Sequence, residues 1–341
     1  MIGPLTGGRD LTPAEVTAAI TEILEGAASP AQMAAFAVGL RMKGETVDEL
    51  GALIDVMVAF GERVELPAGT HAVDTCGTGG DRSCTINAST VAALVVAGAG
   101  AAVCKHGNRS QSSQCGSADL LEALGVTVSL GPAGVAACVA QAGMGFCFAP
   151  RYHPAFRHVG PTRRELGVPT VFNFLGPVAN PAGVRRQVLG VSDPAMAVKL
   201  VGVLQARGAE RALVVYGHDG LDELSTITTS TVLELRDGSV RTYDVDPVDF
   251  GLKPAALEDI QGGDPATNAD LARRVLDGEA GPKRDFVLLN AAAGLVAAGV
   301  AGDLAEGLAA ATASVDDGRA AAVLERLVAV SGEQARAEPP A

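Results

Sequence analysis

The chain has 341 residues, of which 48% are hydrophobic and only 4% aromatic, and its formal net charge is −13. This length predicts about two domains with largely aliphatic cores. The acidic balance leaves no broad basic surface, which argues against nucleic acid or an anionic membrane as a partner. The six cysteines show no Cys-x-x-Cys spacing and no secretory signal precedes them. Reduced thiols in a soluble, cytoplasmic protein are therefore expected, with a zinc site or a catalytic cysteine as the alternative.

Capping boxes predict three helices within about the first 65 residues. The three helix starts are Thr12-Pro13-Ala14-Glu15, Ser29-Pro30-Ala31-Gln32 and Thr46-Val47-Asp48-Glu49. Apolar residues follow each start at helical spacing, so each helix has one apolar face. Three such helices form either a small helical domain or a subunit interface.

After Pro67 the pattern changes to short β-prone runs that alternate with helical stretches. The predicted strands are 72–75, 102–105, 126–130, 145–149, 187–191 and 212–216, with a hairpin of 231–235 and 240–245 around Asp237-Gly238. The predicted helices include 91–97, 135–142, 268–276, 286–298 and 304–330. This alternation predicts an α/β fold, a small helical N-terminal domain followed by a larger domain with a mostly parallel sheet flanked by helices. The predicted bounds are 1–67 for the first domain, 68–335 for the second and 336–341 for a disordered tail.

A glycine-rich loop follows the first predicted strand. It reads Asp74-Thr75-Cys76-Gly77-Thr78-Gly79-Gly80-Asp81, and Asn87-Ala88-Ser89-Thr90 then begins an apolar helix. Glycines allow a sharp turn and bring backbone N–H groups close to phosphate oxygens, which a helix N-terminus also attracts. The loop therefore indicates a phosphate site, with a structural turn as the alternative.

Three further polar segments stand near predicted strand ends. Lys105-His106-Gly107-Asn108-Arg109 suits an anionic ligand, although a solvated loop is the alternative. Arg163 could bind a carboxylate, but without context a surface arginine on a helix is the favoured interpretation. The adjacent acids Asp222 and Glu223 suit Mg²⁺, a weak indication in a chain this acidic.

Together and in this order, these segments resemble the anthranilate phosphoribosyltransferase family. That family carries a Gly-Thr-Gly-Gly-Asp loop, an Asn-x-Ser-Thr helix start, a Lys-His-Gly-Asn-Arg segment, a Phe-Asn-x-Leu-Gly-Pro-x-x-Asn-Pro segment and an Asp-Glu pair, and all five stand here between Gly77 and Glu223. The resemblance extends to about Val330. It implies transfer of the phosphoribosyl group of phosphoribosyl pyrophosphate (PRPP) to the amine of anthranilate, the second step of tryptophan biosynthesis from chorismate.

The resemblance also implies a homodimer through the helical domain, which a segment within about 155–182 completes. It implies that PRPP is held by Gly77, Gly80, Asp81, Thr85, Asn87, Ser89, Thr90, Lys105, Gly107, Asn108, Arg109, Ser113 and Ser117. It assigns anthranilate to Gly77, His106, Asn108, His153 and Arg163, and two Mg²⁺ ions per subunit to Ser89, Asp222 and Glu223. Lys105, Asp222 and Glu223 are expected to act electrostatically, and no catalytic base is assigned.

The sequence departs from the family pattern at a few positions. Arg82 stands where glycine is usual, Ala88 replaces a branched aliphatic residue, and Val178-Ala179 replaces Leu-Thr. These departures bear on substrate affinity and on the acceptor. The alternatives are a nucleoside phosphorylase-like enzyme, a phosphoribosyltransferase of specialised metabolism with another aromatic acceptor, and a phosphate-ligand-binding regulatory protein.

Overall fold

The computed structural model describes residues 1–81, 83–110 and 114–338. Four helices begin the chain: α1 (Ile2–Thr6), α2 (Pro13–Leu24), α3 (Pro30–Lys43) and α4 (Val47–Ala59). The three predicted capping boxes are confirmed. At α2, for example, the Thr12 hydroxyl accepts the Glu15 N–H at 3.3 Å while the Glu15 carboxylate accepts the Thr12 N–H at 2.9 Å. The short helix α1 was not predicted.

A seven-stranded sheet organises the rest of the chain. Its strands are β1 (Val73–Gly77), β2 (Val103–Gly107), β3 (Met144–Phe148), β4 (Arg186–Gly190), β5 (Arg211–Gly217), β6 (Ser230–Arg236) and β7 (Ser239–Val245). They stand in the order β3-β2-β1-β4-β5-β6-β7, and the first five are parallel. The last two strands form the predicted hairpin, in which Asp237 and Gly238 both have positive φ, as a two-residue turn of this kind requires.

Helices cover both faces of this sheet, which confirms the predicted fold class. They are α5 (Ala88–Gly98), α6 (Ser117–Ala123), α7 (Pro132–Ala142), α8 (Ala149–Tyr152), α9 (Gly160–Leu166), α10 (Pro194–Ala206), α11 (Leu257–Ile260), α12 (Pro265–Leu276), α13 (Pro282–Ala298), α14 (Leu304–Asp316) and α15 (Arg319–Ala337). Short 3₁₀ turns lie at Pro154–His158, Val171–Asn173, Gly176–Val178 and Pro247–Phe250. No helix in the described part of the chain is long and apolar enough to cross a membrane.

Two hydrophobic clusters lie on opposite faces of the sheet. One joins α5, α7, α13 and α15 to residues such as Val188 on β4. The other joins α2, α3, α4 and α10 to Leu189 on the same strand, and it also includes the buried residues Val159, Phe172 and Leu175. Because neighbouring strand residues point to opposite faces, β4 contributes to both clusters. The first helices and the segment around 159–179 therefore share one core.

The predicted strand 126–130 is wrong. Val126, Val128 and Leu130 are buried, as their alternation indicated, but the segment forms neither strand nor helix. Its backbone bonds to side chains, because the Thr127 N–H donates to the Ser331 hydroxyl of α15 at 3.0 Å and the Leu130 carbonyl accepts from the Tyr152 hydroxyl at 3.0 Å. The alternating apolar pattern therefore predicted correctly which residues are buried, but it predicted wrongly that the backbone pairs with a neighbouring strand.

The C-terminal prediction is wrong in two places. The predicted helix 304–330 is two helices, α14 and α15, because Gly318 has a φ of 72° and ends the first run. The predicted tail 336–341 is not disordered where it begins, since α15 continues to Ala337. The Glu338 carboxylate then accepts the N–H of Gly131 at 2.9 Å, which anchors this end of the helix. Residues 339–341 lie outside the described residues.

Candidate active site

The strand order places a crevice at the carboxyl ends of β1 and β4. These parallel strands are neighbours, yet the chain leaves β1 towards β2 on one side and leaves β4 towards β5 on the other. Loops diverge at such a switch point, where ligands bind in open α/β sheets. The glycine loop after β1, the basic segment at the end of β2 and the acidic pair after β5 all lie at this edge.

Glycines allow the Asp222 carboxyl to enter the crevice between β1 and β4. A Cβ at Gly77 would collide with the Asp222 carboxylate, and a Cβ at Gly190 would collide with the Asp222 backbone carbonyl. The Gly79 N–H donates to Asp222 Oδ2 at 2.7 Å. Gly79 and Gly80 both have positive φ, which favours glycine in this turn. Gly190, which sequence analysis did not name, is as necessary for this approach as Gly77.

Glu223 and Lys105 meet at the first turn of α5. The Ser89 N–H donates to Glu223 Oε1 at 3.1 Å, and Lys105 Nζ lies 3.4 Å from the Ser89 hydroxyl. Lys105 is only 1% exposed and also donates to the Thr75 carbonyl. A small cavity beside Glu223 is lined by Thr75, Ser89, Asp222 and Asn290 together with the apolar residues Ala92, Val188 and Val215. The structure therefore brings together the predicted metal ligands and the predicted electrostatic lysine.

Burial of Asp222 and Glu223 disfavours their charged forms. Burial, followed by the negative charge of the Asp81 carboxylate, raises the pKa of Asp222 to about 6. Burial, followed by the charges of Asp222 and Asp81, raises the pKa of Glu223 well above its usual value. Burial also lowers the pKa of Lys105, whose positive charge acts on both acids. Two carboxylates and the Ser89 hydroxyl are hard oxygen donors, so these residues fit a divalent cation such as Mg²⁺.

Two neutral histidines lie on the other side of β2. His106 Nδ1 lies 2.9 Å from the Gly176 carbonyl and His153 Nε2 lies 3.0 Å from the Ala179 carbonyl, with the two rings 5.1 Å apart. A carbonyl only accepts, so each of these nitrogens carries the proton. Burial, followed by His153, lowers the pKa of His106 to about 3, and burial lowers the pKa of His153. His106 Nε2 is buried with no hydrogen-bond partner among residues 1–81, 83–110 and 114–338.

Buried polar residues to which sequence analysis gave no role hold this second side in place. Asp74 on β1 accepts the His106 N–H at 3.2 Å and an Asn180 Nδ2–H at 2.8 Å. Gln187 on β4 donates to the Pro177 carbonyl at 2.6 Å. Burial raises the pKa of Asp74 to about 6. A lone acid inside an apolar strand is a signal that could have identified Asp74.

Asn108 and Ser117 form a local turn at the end of β2. The Asn108 N–H donates to the Ser117 hydroxyl at 3.1 Å, and Gly107 allows this contact because a Cβ there would collide with that hydroxyl. Arg109 instead turns towards α6, where it pairs with Asp119 at 2.7 Å and Glu122 at 2.6 Å. The structure therefore does not bring the Arg109 guanidinium to the glycine loop, because nearby carboxylates already hold it.

The remaining predicted residues lie along the glycine loop and α5, except Arg163. Asp81 accepts hydrogen bonds from Ser83, and the Thr90 hydroxyl is buried without a partner in the described ranges. Thr85 forms a bridge to Gln261, beside a small cavity. Arg163 lies half-buried on α9, makes no ion pair with the described residues, and burial lowers its pKa. The predicted residue Ser113, like Arg82, lies outside the described residues.

Comparison with known proteins decides the family. Residues 1–61 match the helical bundle domain of a glycosyl transferase family, and residues 69–321 match the α/β domain of a glycosyl transferase family. A relative from Roseiflexus castenholzii, named anthranilate phosphoribosyltransferase, is 52% identical over 326 residues, which are 95% of each chain. The chain belongs to the anthranilate phosphoribosyltransferase family. The resemblance drawn from the motifs is therefore confirmed.

Solved structures of the anthranilate phosphoribosyltransferase family share the whole fold. The Thermus thermophilus structure has a TM-score of 0.91 and 43% identity, covering 97% of this chain and 99% of that chain. The Saccharomyces cerevisiae enzyme in complex with PRPP and Mg has a TM-score of 0.89 and 27% identity, covering 97% of both chains. The same yeast enzyme has been solved with 4-fluoroanthranilate, with a TM-score of 0.88, 26% identity and the same coverage.

Proposed function

We propose that this protein transfers the phosphoribosyl group of PRPP to the amine of anthranilate, giving N-(5-phosphoribosyl)anthranilate and pyrophosphate, as in tryptophan biosynthesis. The observation that carries the proposal is the meeting of Asp222, Glu223, Ser89 and Lys105 beside the glycine loop. An acidic pair that is short of positive charge suits a metal ion, and a glycine-rich loop that leads to a helix N-terminus suits phosphate. The 52% identity to a relative of this name supports the same reaction.

The donor is proposed to lie along the glycine loop and the start of α5. Two Mg²⁺ ions per subunit would be held by Ser89, Asp222 and Glu223. When bound, Mg²⁺ offsets the negative charge that pyrophosphate gains as it leaves. Lys105 adds a fixed positive charge near the oxygens of the leaving pyrophosphate. The proposed PRPP contacts are Gly77, Gly80, Asp81, Thr85, Asn87, Ser89, Thr90, Lys105, Gly107, Asn108, Ser113 and Ser117, and Arg109 joins them only if it leaves Asp119 and Glu122.

The acceptor is proposed to lie between the two histidines and α9. Anthranilate has an amine that donates hydrogen bonds and a carboxylate that accepts them. His106 Nε2 is a buried acceptor without a partner among the described residues, so an amine N–H would satisfy it. The half-buried Arg163 guanidinium has no acidic partner in the same ranges, so a carboxylate would satisfy it. Gly77, Asn108 and His153 complete the proposed acceptor contacts.

The reaction needs positioning more than covalent help from the protein. The amine nitrogen forms a bond to C1 of the ribose from the face opposite the leaving group. The C1–O bond breaks, pyrophosphate leaves with the bonding electrons, and C1 is inverted. The nitrogen then loses its proton to water. Because ribosyl carbons take on oxocarbenium character readily, orientation of the two substrates and charge on the leaving group determine the rate.

A homodimer formed through the helical domain is proposed as the functional unit, and a cytoplasmic location follows from the pathway. The outer face of α3 supports the dimer because small apolar residues recur on it at helical spacing. Ala31 and Met42 on this face are exposed, the latter by 83%, and Ala34, Ala35 and Val38 between them are only half-buried. We also propose a domain division of 1–67 with a segment within about 155–182 against 68–335, which the shared core of α2–α4 and that segment supports.

A pyrophosphate-release assay tests the proposed function. Purified protein with PRPP, anthranilate and Mg²⁺ should release pyrophosphate in step with N-(5-phosphoribosyl)anthranilate detected by mass spectrometry. Omitting anthranilate or chelating the metal should stop the release. A panel of other aminobenzoates and nucleosides tests the alternatives. Faster turnover of another acceptor, or phosphorolysis of a nucleoside, would replace the proposal. PRPP binding without turnover would support a regulatory protein instead.

A further inference from the structure

A chain of amide hydrogen bonds connects α12 to the start of α5. Asn268 lies in the first turn of α12, is only 3% exposed, and donates through Nδ2 to Asn87 Oδ1 at 2.9 Å. Its own Oδ1 accepts the Gly263 N–H at 2.7 Å. Asn87 in turn donates through Nδ2 to the Cys115 carbonyl at 2.9 Å. Three segments that are far apart in sequence therefore meet through two amide side chains.

Backbone groups at both ends fix the direction of this chain. The Gly263 N–H can only donate, so the oxygen of the Asn268 amide must face it and the nitrogen must face Asn87. The Cys115 carbonyl can only accept, so the nitrogen of the Asn87 amide must face it and the oxygen must face Asn268. Turning either amide over would place like groups against each other. The orientation of the Asn87 amide is thus set by its neighbours.

Asn87 is free of its usual role at a helix start. It is the N-cap residue of α5, a position where asparagine commonly accepts a helix N–H, but its side chain makes no capping bond. One hydrogen on Nδ2 has no partner among the described residues. Phosphate oxygens only accept hydrogen bonds, so this remaining N–H is suited to the proposed donor.

We propose that Asn268 is a positioning residue for the phosphoribosyl donor, acting through Asn87 by keeping the amide nitrogen turned away from α12. The inference rests on the proposed function of the site. Gly262 fits this role, because a Cβ there would collide with the Asn268 amide oxygen. Asn268 lies 181 residues from Asn87 in sequence.

Substitution of Asn268 tests the role directly. Asn268→Asp has the same shape but no N–H for Asn87, so the Asn87 nitrogen is drawn towards α12. We expect KM for PRPP to rise about tenfold and KM for anthranilate to change less than about twofold. Asn268→Ala should raise KM for PRPP about threefold. Asp264→Ala, which removes the N-cap of the same helix α12, is the matched control and should leave both KM values unchanged.

A double-mutant cycle separates positioning from general stability. If Asn268 acts through Asn87, then Asn268→Ala should have no further effect on KM for PRPP in an Asn87→Ala background. Additive effects of the two substitutions, or equal rises in both KM values for Asn268→Asp, would overturn the inference. Melting temperatures of all variants show whether folding is retained.

Direct PRPP binding keeps this test separate from the proposed function. Calorimetric titration of wild type and variants with PRPP and Mg²⁺ should show the same cycle in Kd. If the wild type binds PRPP but does not turn over anthranilate, the proposed acceptor is wrong. The double-mutant cycle in Kd for PRPP would still decide the role of Asn268. If the wild type turns over normally and the effects of the two substitutions on Kd are additive, only the role proposed for Asn268 is overturned. Wild type that neither binds PRPP nor turns over would overturn both.

Discussion

Lys105 and His106 are neighbours on β2, yet their side chains belong to opposite sides of the candidate site. Lys105 points towards Ser89 on α5, whereas His106 points towards the Gly176 carbonyl. Side chains alternate along a strand, so one strand end can supply two different environments. We define the donor side by Ser89, Lys105, Asp222 and Glu223, and the acceptor side by His106, His153, Arg163, Gly176 and Asn180.

The donor side and the acceptor side differ in the charge of their buried side chains. The donor side gathers buried charged groups, so burial raises the pKa values of Asp222 and Glu223 and lowers the pKa of Lys105. The acceptor side has two histidines that burial keeps neutral, each bonded to a backbone carbonyl. Under the proposed function, a charged, metal-dependent leaving group fits the first side and a flat aromatic amine fits the second. Changes on each side should therefore affect different kinetic constants.

The largest effect should come from removing the acidic pair on the donor side. Changing both Asp222 and Glu223 to Ala removes the proposed metal ligands, so kcat/KM should fall about a thousandfold or more. The loss should persist at high Mg²⁺ concentration. The matched control changes Glu22 and Glu25 to Ala, two exposed acids on and next to α2. An unchanged rate at limiting Mg²⁺ in the Asp222/Glu223 variant would remove the metal assignment.

A smaller but still large effect should follow from displacing the acidic pair without removing it. In Gly190→Ala the new Cβ meets the backbone carbonyl of Asp222, so the loop must shift. We expect kcat/KM to fall about a hundredfold, because small misplacement of a positioned group is costly. Gly51→Ala on α4 is the control, since a Cβ there meets nothing within 4 Å. Activity of Gly190→Ala close to that of Gly51→Ala would show that Asp222 is not positioned as described.

The acceptor side should respond next, and only through one substrate. Arg163→Ala removes a half-buried cation that has no acidic partner in the described chain, so KM for anthranilate should rise about tenfold to a hundredfold. KM for PRPP should stay within about twofold. Arg164→Ala, on the same helix but exposed, is the matched control and should leave both constants unchanged. Equal rises in both KM values would contradict a carboxylate contact and blur the separation of the two sides.

The fold could be predicted where local chemistry determines it. Capping boxes determined the starts of α2, α3 and α4, because the cap residue and its Glu or Gln partner are three residues apart and need no tertiary contact. Segment 126–130 could not be predicted, because its alternating burial matches that of a strand while its backbone partners come from Ser331 and Tyr152. Backbone partners so distant in sequence leave no local pattern.

The same distinction applies to the site. Sequence analysis placed the polar motifs near the ends of predicted strands, and these motifs meet at the ends of β1, β2 and β5 because parallel strands end at one edge of the sheet. Asn268 was missed, and Asn180 was given no role although it stands in the Asn-Pro motif, since each reaches its partner across more than a hundred residues. The direction of Arg109 was also beyond the sequence, because two carboxylates on α6 determine it. Sequence thus predicted which strand ends carry the chemistry, and tertiary packing determined which groups support it.

The smallest effect we predict concerns stability rather than activity, and it tests whether the acceptor side is neutral. The pKa of His106 is about 3 in the folded protein and about 6.5 when unfolded. Between pH 6.5 and 3 this histidine is therefore protonated in the unfolded chain but not in the folded protein. The contribution of the neutral histidine to the free energy of unfolding is fully present above pH 6.5 and is lost as the pH falls towards 3. His106→Asn keeps a donor to the Gly176 carbonyl but cannot be protonated. Urea unfolding at pH 7.5 and 5.0 should show wild type losing about 2 kcal/mol more than His106→Asn, and equal losses would place a charged histidine on the acceptor side.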